Sequence, residues 1–134
     1  MKKMVLAALM LLAPPATANA QGFTAQTWAD CSAETAIFGV LLSSARNRGA
    51  AFTLSDIEAS DKEMEQWIGK MSTFVGVHRL SYLETLYETA ITNKTDTIGY
   101  FIAKQGDTRL AWEQAIEQAS IRRQECMTIL NANH

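Results

Sequence analysis

Residues 24–49 read TAQTWADCSAETAIFGVLLSSARNRG, and this segment sets the helical class of the whole chain. Its predicted inward-facing side chains follow one another at alternating intervals of three and four residues, namely Trp28, Cys31, Thr35, Phe38, Leu42 and Ala45. That spacing lines one side of an α-helix. Thr24 is a favourable N-cap, and Gly49 can adopt the left-handed conformation that ends a helix. The segment therefore predicts a first helix from about Thr24 to Arg48.

A second helix is expected to begin shortly after this one. Ser55 and Glu58 have the spacing of a capping box, and Leu54 precedes them at the position of a hydrophobic staple. Ser60 with Glu63 offers another start of the same kind. Both alternatives predict a helix whose apolar side runs on toward residue 75.

The middle of the chain is predicted to be helical because no proline follows Pro15. A break near Gly76 would separate the second helix from a third over residues 77–92, and without it the two form one long rod. Residues 93–97, NKTDT, are rich in side chains that bond their own backbone and predict a loop. Residues 96–104 then form a short fifth helix or, alternatively, a strand. Helix is favoured because a lone strand would have no partner.

The last helix carries the second cysteine of the mature chain. Gly106 ends the preceding segment, and Asp107 or Thr108 is the predicted N-cap. The apolar side of this helix continues to about Asn131.

The two cysteines, Cys31 and Cys126, predict how the first and last helices pack. Cys31 lies about two turns from the start of its helix and Cys126 about one and a half turns from the end of its own, so antiparallel packing brings them level. A disulfide is expected, the alternative being two buried thiols. Glu34 lies one turn after Cys31, and Arg122 lies one turn before Cys126, so antiparallel packing brings these two level as well. They are predicted to form a structural ion pair, with an anion site at Arg122 as the alternative.

The first twenty residues have the three regions of a secretory leader. Lysines at positions 2 and 3 precede ten apolar residues, 4–13, and Ala18-Asn19-Ala20 supplies the small residues of a cleavage site. Ten apolar residues are about half of the roughly 20 that a transmembrane helix needs. We therefore expect no membrane anchor after cleavage, and the periplasm as the location, with secretion as the second choice.

The expected mature chain, residues 21–134, is long enough for a single helical domain. Removal of the two leader lysines leaves 10 basic residues of the original 12 against 14 acidic ones, a net charge near −4. Nucleic-acid binding rests on clustered Lys and Arg, so this balance argues against a nucleic-acid partner.

No motif in the sequence predicts a catalytic residue, a metal site or a cofactor. Glu-x-x-His pairs, Cys-x-x-Cys-His and clustered Cys and His are all absent. His78 has only Ser81 and Glu84 as sequence neighbours for catalysis. An enzyme or cofactor carrier would need a site assembled from distant residues, with His78, Tyr82 and Glu84 as its first candidates.

The outer face of the third helix is a candidate interaction surface. At 100° per residue, an inner face centred on Leu80 and Tyr87 leaves four residues on the opposite side. These four are His78, Tyr82, Thr85 and Thr89. Tyrosine is favoured at protein interfaces, so another protein of unknown identity is the expected partner.

These patterns predict an all-α chain that forms a four-helix bundle, with a short fifth helix at residues 96–104 as an optional element. Its first and last helices are antiparallel and joined by the disulfide. The expected function is non-enzymatic protein–protein interaction in the periplasm, of a chaperone-like, inhibitor or immunity type. An enzyme or a cofactor carrier is the alternative.

The leader predicts cleavage between Ala20 and Gln21 when the full-length chain is expressed with export. N-terminal sequencing of the protein from the periplasmic fraction should begin at Gln21. Recovery of a chain that keeps Met1 in the membrane fraction would contradict the prediction.

Overall fold

A computed structural model describes residues 23–133 of the chain. The leader and its cleavage site lie outside the described residues, as does His134. Four helices pack together, which we number α1 Ala25–Asn47, α2 Leu54–Lys70, α3 Leu80–Gln105 and α4 Arg109–Ala132. A 3-10 turn, Met71–Thr73, follows α2, and residues 23–133 contain no strand. The prediction of an all-helical chain is confirmed.

Helix α1 is the centre of the structure, because it contacts each of the other three helices. Its ends match the prediction: the Thr24 hydroxyl accepts a hydrogen bond from the backbone N–H of Thr27 at 3.1 Å, and Gly49 has φ +94°. The predicted inner stripe is buried, but so are residues on the other sides of the helix, namely Ala29, Ser32, Ala33, Ile37 and Leu41. A helix with neighbours on three sides needs small or apolar residues on all three.

Helix α2 begins earlier than either predicted start. Its capping box is made by Thr53 and Asp56: Asp56 accepts from the Thr53 backbone N–H at 2.8 Å, and Thr53 accepts from the Asp56 backbone N–H at 3.3 Å. The Ser55 and Ser60 starts are therefore wrong, because an aspartate closes the box here in place of a glutamate. Ser60 is instead buried in mid-helix and donates to the carbonyl oxygen of Thr35 at 3.2 Å.

Helix α3 is continuous, so the predicted loop at residues 93–97 and the separate short helix or strand after it are wrong. The Thr97 hydroxyl donates to the carbonyl of Asn93 one turn earlier, at 2.9 Å, which keeps its hydrogen bond inside the helix. Lys94 points toward α1 and lies near Glu34. Both contacts are compatible with a continuous helix through residues 93–97.

The break between α2 and α3 is confirmed, but α3 starts three residues later than predicted, at Leu80. Leu80 is exposed, and Leu83 and Ala90 are buried. The predicted inner face centred on Leu80 is therefore wrong at its first residue, because the first turn of α3 meets the core through Leu83 instead. At the other end, Gly106 has φ +87°, and Thr108 caps α4 by accepting from the backbone N–H of Ala111 at 3.2 Å.

The disulfide between Cys31 and Cys126 is confirmed and joins α1 to α4, with their Cα atoms 5.4 Å apart. Further contacts along the same seam pair Glu34 with Arg122 and Arg48 with Asp107. The bridge lies inside a buried cluster that includes Trp28, Trp67, Leu83 and Leu130.

Replacement of both cysteines, Cys31→Ala with Cys126→Ala, should destabilise the mature protein strongly. The bridge spans a sequence separation of 95 residues. For a loop of that length the chain-entropy model gives a loss of about 4 to 5 kcal/mol in the free energy of unfolding. Urea titration followed by circular dichroism measures this difference against the oxidised wild type.

The reduced and alkylated wild type serves as the control and should lose stability to a similar extent. A loss below about 1 kcal/mol in both would show that the bridge adds little to the packing of α1 against α4.

Candidate functional site

An apolar groove of about 440 Å³ lies at the surface between α1 and α3. Its buried lining includes the aliphatic side chains Ile37, Leu41 and Ile102. Its exposed lining on α3 is Thr95, Gly99 and Ala103, and on α1 it is Val40. No charged side chain lines this groove, so a ligand would bind there mainly through apolar contacts.

Small residues of α3 line the exposed side of the groove. Thr95, Gly99 and Ala103 are spaced by four residues and so share one side of α3. A Cβ atom built on Gly99 would meet no atom within 4 Å, which shows that the space above it is open. Val40 stands beside this space with 61% of its surface exposed. The α1–α3 groove is thus a pocket with shallow walls and one prominent apolar side chain.

Trp112 of α4 also lines the groove and is held in place by polar contacts. Its indole N–H donates to Asp107 Oδ1 at 2.5 Å, and Arg48 donates to both oxygens of the same carboxylate at 2.6 and 2.9 Å. The Arg48 guanidinium lies 4.6 Å from the centre of the indole ring. The hydrogen bonds from Arg48 and then from Trp112 lower the pKa of Asp107. Asp107 therefore stays ionised at lower pH than a free aspartate would, and its carboxylate continues to accept the hydrogen bond from the Trp112 indole.

A second, polar cleft of about 260 Å³ lies between α3 and α4. Its lining consists of Asn93, Lys94, Thr97, Ile98 and Arg122. Two of these residues, Lys94 and Arg122, contact the buried carboxylate of Glu34 in α1, which is 1% exposed. The cleft is thus backed by an ionic cluster that joins three helices.

In this cluster, Arg122 Nε donates to Glu34 Oε1, and Lys94 Nζ lies 3.8 Å from the same oxygen. Glu34 Oε2 is buried and has no hydrogen-bond partner among the described residues. Burial of a carboxylate is costly unless it is paired, and the two cations offset that cost.

The structure brings Glu34 and Arg122 together, and it adds Lys94, which the sequence reasoning missed because it placed residues 93–97 in a loop. A signal was available: Lys94 follows Tyr87 by seven residues, two helical turns, and so continues the inner side of α3. The neighbouring Arg123 pairs with Glu63 of α2.

The predicted interaction surface on α3 is partly assembled. Tyr82, Thr85 and Thr89 are exposed, and the ring of His78 lies 5.0 Å from that of Tyr82. His78 itself is half-buried and precedes α3 instead of lying on it. Contact of this surface with a partner stays a prediction.

Within residues 23–133, no group of three or more His, Cys, Asp and Glu side chains is placed to hold a metal ion. None of the helices in that range combines the length and apolar composition of a membrane span. Comparison with known protein families, with curated proteins and with solved structures finds no match.

Proposed function

We propose that the mature chain is a non-enzymatic binding protein of the periplasm that holds an amphipathic helix of a partner protein in the α1–α3 groove. The observation that carries this proposal is the open apolar groove itself. The scaffold is an antiparallel four-helix bundle, an arrangement supported by the order of contacts along the seam of α1 and α4.

The proposed location rests on two independent features. The leader of residues 1–20 has the organisation that directs export. The Cys31–Cys126 bridge is of a kind that forms and persists in oxidising compartments such as the periplasm. A cytosolic chain would be expected to keep both thiols reduced.

The length of the groove favours a helix as its occupant. Its lining on α3 extends from Ile91 to Ala103, which corresponds to about 18 Å at 1.5 Å per residue. A helix of roughly three turns has that length. Recognition of an amphipathic helix in an apolar groove is a common mode of binding, with the apolar face of the helix laid against the floor.

The packing around α1 favours the same occupant. α2, α3 and α4 cover three sides of α1, and the side that carries Ala36 and Val40 is left open. Small residues such as Gly99 on the facing wall would let the backbone of an added helix approach closely. A partner helix laid there would cover Val40 and complete the enclosure of α1.

We predict that a photo-crosslinking amino acid at Val40 forms an adduct with a partner protein in living cells, and that Gly99→Leu abolishes the adduct. The added side chain extends into the groove from a position where a Cβ meets no atom within 4 Å. Removing a glycine from a helix interior should even raise stability by up to about 1 kcal/mol. Mass spectrometry of the adduct identifies the partner and the crosslinked segment.

Gly69→Leu is the matched control, since Gly69 is an exposed helical glycine of α2 that also has nothing within 4 Å of its Cβ position. It should leave the adduct unchanged. The proposal fails if no protein adduct forms, if Gly99→Leu and Gly69→Leu behave alike, or if the adduct consists of two copies of this chain.

A further inference from the structure

The polar cleft between α3 and α4 has no role in the proposed function. We infer that Lys94 and Arg122 form a binding site in this cleft for a small oxyanion, that is, a carboxylate or a phosphate group. The inference is independent of the α1–α3 groove, which lies between α3 and α1.

The cleft carries more positive than negative charge. Lys94 and Arg122 share one carboxylate oxygen of Glu34, so the cluster of three residues carries a net positive charge. Glu34 is 1% exposed, whereas the side chains of Lys94 and Arg122 are 23% and 46% exposed. An anion that enters from solvent therefore meets the two cations first, with the carboxylate behind them.

The two cations also have donors to offer. Arginine has five N–H donors in a planar fork, and the described contact with Glu34 uses the one on Nε. The terminal nitrogens can bind an oxyanion through two parallel hydrogen bonds. Lys94 Nζ is 3.8 Å from Glu34, beyond hydrogen-bond length, so its three N–H groups remain able to turn toward an anion in the cleft.

Glu34 acts in this site as a positioning residue. Its bond to Nε fixes the plane of the Arg122 guanidinium. An oxyanion thus finds the donors of Arg122 already in place, which reduces the entropy that binding would otherwise cost.

The test uses the mature, oxidised protein titrated with inorganic phosphate and, separately, with acetate, each against sodium chloride at constant ionic strength. Binding is read from backbone amide chemical shifts in NMR spectra. We expect saturable shifts centred on Lys94, Thr97 and Arg122. Lys94→Gln should weaken binding by about tenfold, since a hydrogen bond to a charged group contributes on that order.

Glu34→Gln should change the affinity in the opposite direction. This variant removes the counter-charge of both cations, while its amide oxygen can still accept the hydrogen bond from Arg122 Nε, so the affinity for the anion should rise several-fold. A purely structural role for the cluster predicts no such increase. Lys104→Gln is the matched control, because it removes the same charge from α3 where Lys104 lies over the ring of Tyr100. Its affinity should stay within twofold of the wild type.

A preference for phosphate or for acetate identifies which oxyanion the site takes, and either result supports the inference. The inference is overturned if neither probe saturates, if Lys94→Gln and Lys104→Gln weaken binding equally, or if a folded Glu34→Gln variant binds more weakly. Circular dichroism verifies folding of each variant. If Glu34→Gln does not fold, the comparison of the two lysine variants decides the question alone.

Discussion

The burial of α1 against three helices at once is the constraint on which the rest of the structure depends. Its alanines make this possible, since Ala29, Ala33 and Ala45 are fully buried and let neighbouring backbones approach closely. Side chains in a protein interior are close-packed, so a larger residue at these positions would push a neighbour away. The disulfide and the contact of Glu34 with Arg122 then fix the register of α4 along this central helix.

Both candidate sites follow from that arrangement. Three neighbours leave one side of α1 uncovered, and the α1–α3 groove lies there. α3 and α4 each pack on α1 more extensively than on each other, and the polar cleft opens between them. Each opening has a distinct chemistry: one is lined by aliphatic side chains and the other by Lys94 and Arg122. We propose a partner helix for the first and an oxyanion for the second.

The features that the sequence did predict depend on residues within one turn or on covalent chemistry, although the capping box of α2 was not among them. Helix ends at Thr24 and Gly106, and the pairing of the two cysteines, belong to this group. The continuity of α3 could not be predicted in this way, because the polar run at residues 93–97 has the composition of a loop, whereas in the structure it is helical and its Lys94 lies near a distant residue, Glu34. The groove could not be predicted either, since its lining comes from α1, α3 and α4 together and so depends on how the helices pack.

Native-state hydrogen exchange, followed residue by residue in the mature oxidised protein, tests the central position of α1 most directly. Amides buried at the centre of a structure exchange only when the whole protein unfolds, whereas peripheral elements open locally. We predict that the α1 amides from Cys31 to Ala45 share the highest free energy of exchange and that those of α2, where only Ser60 and Trp67 are buried, exchange faster through local opening. Exchange of the α1 amides at the same rate as those of α2 would contradict the account.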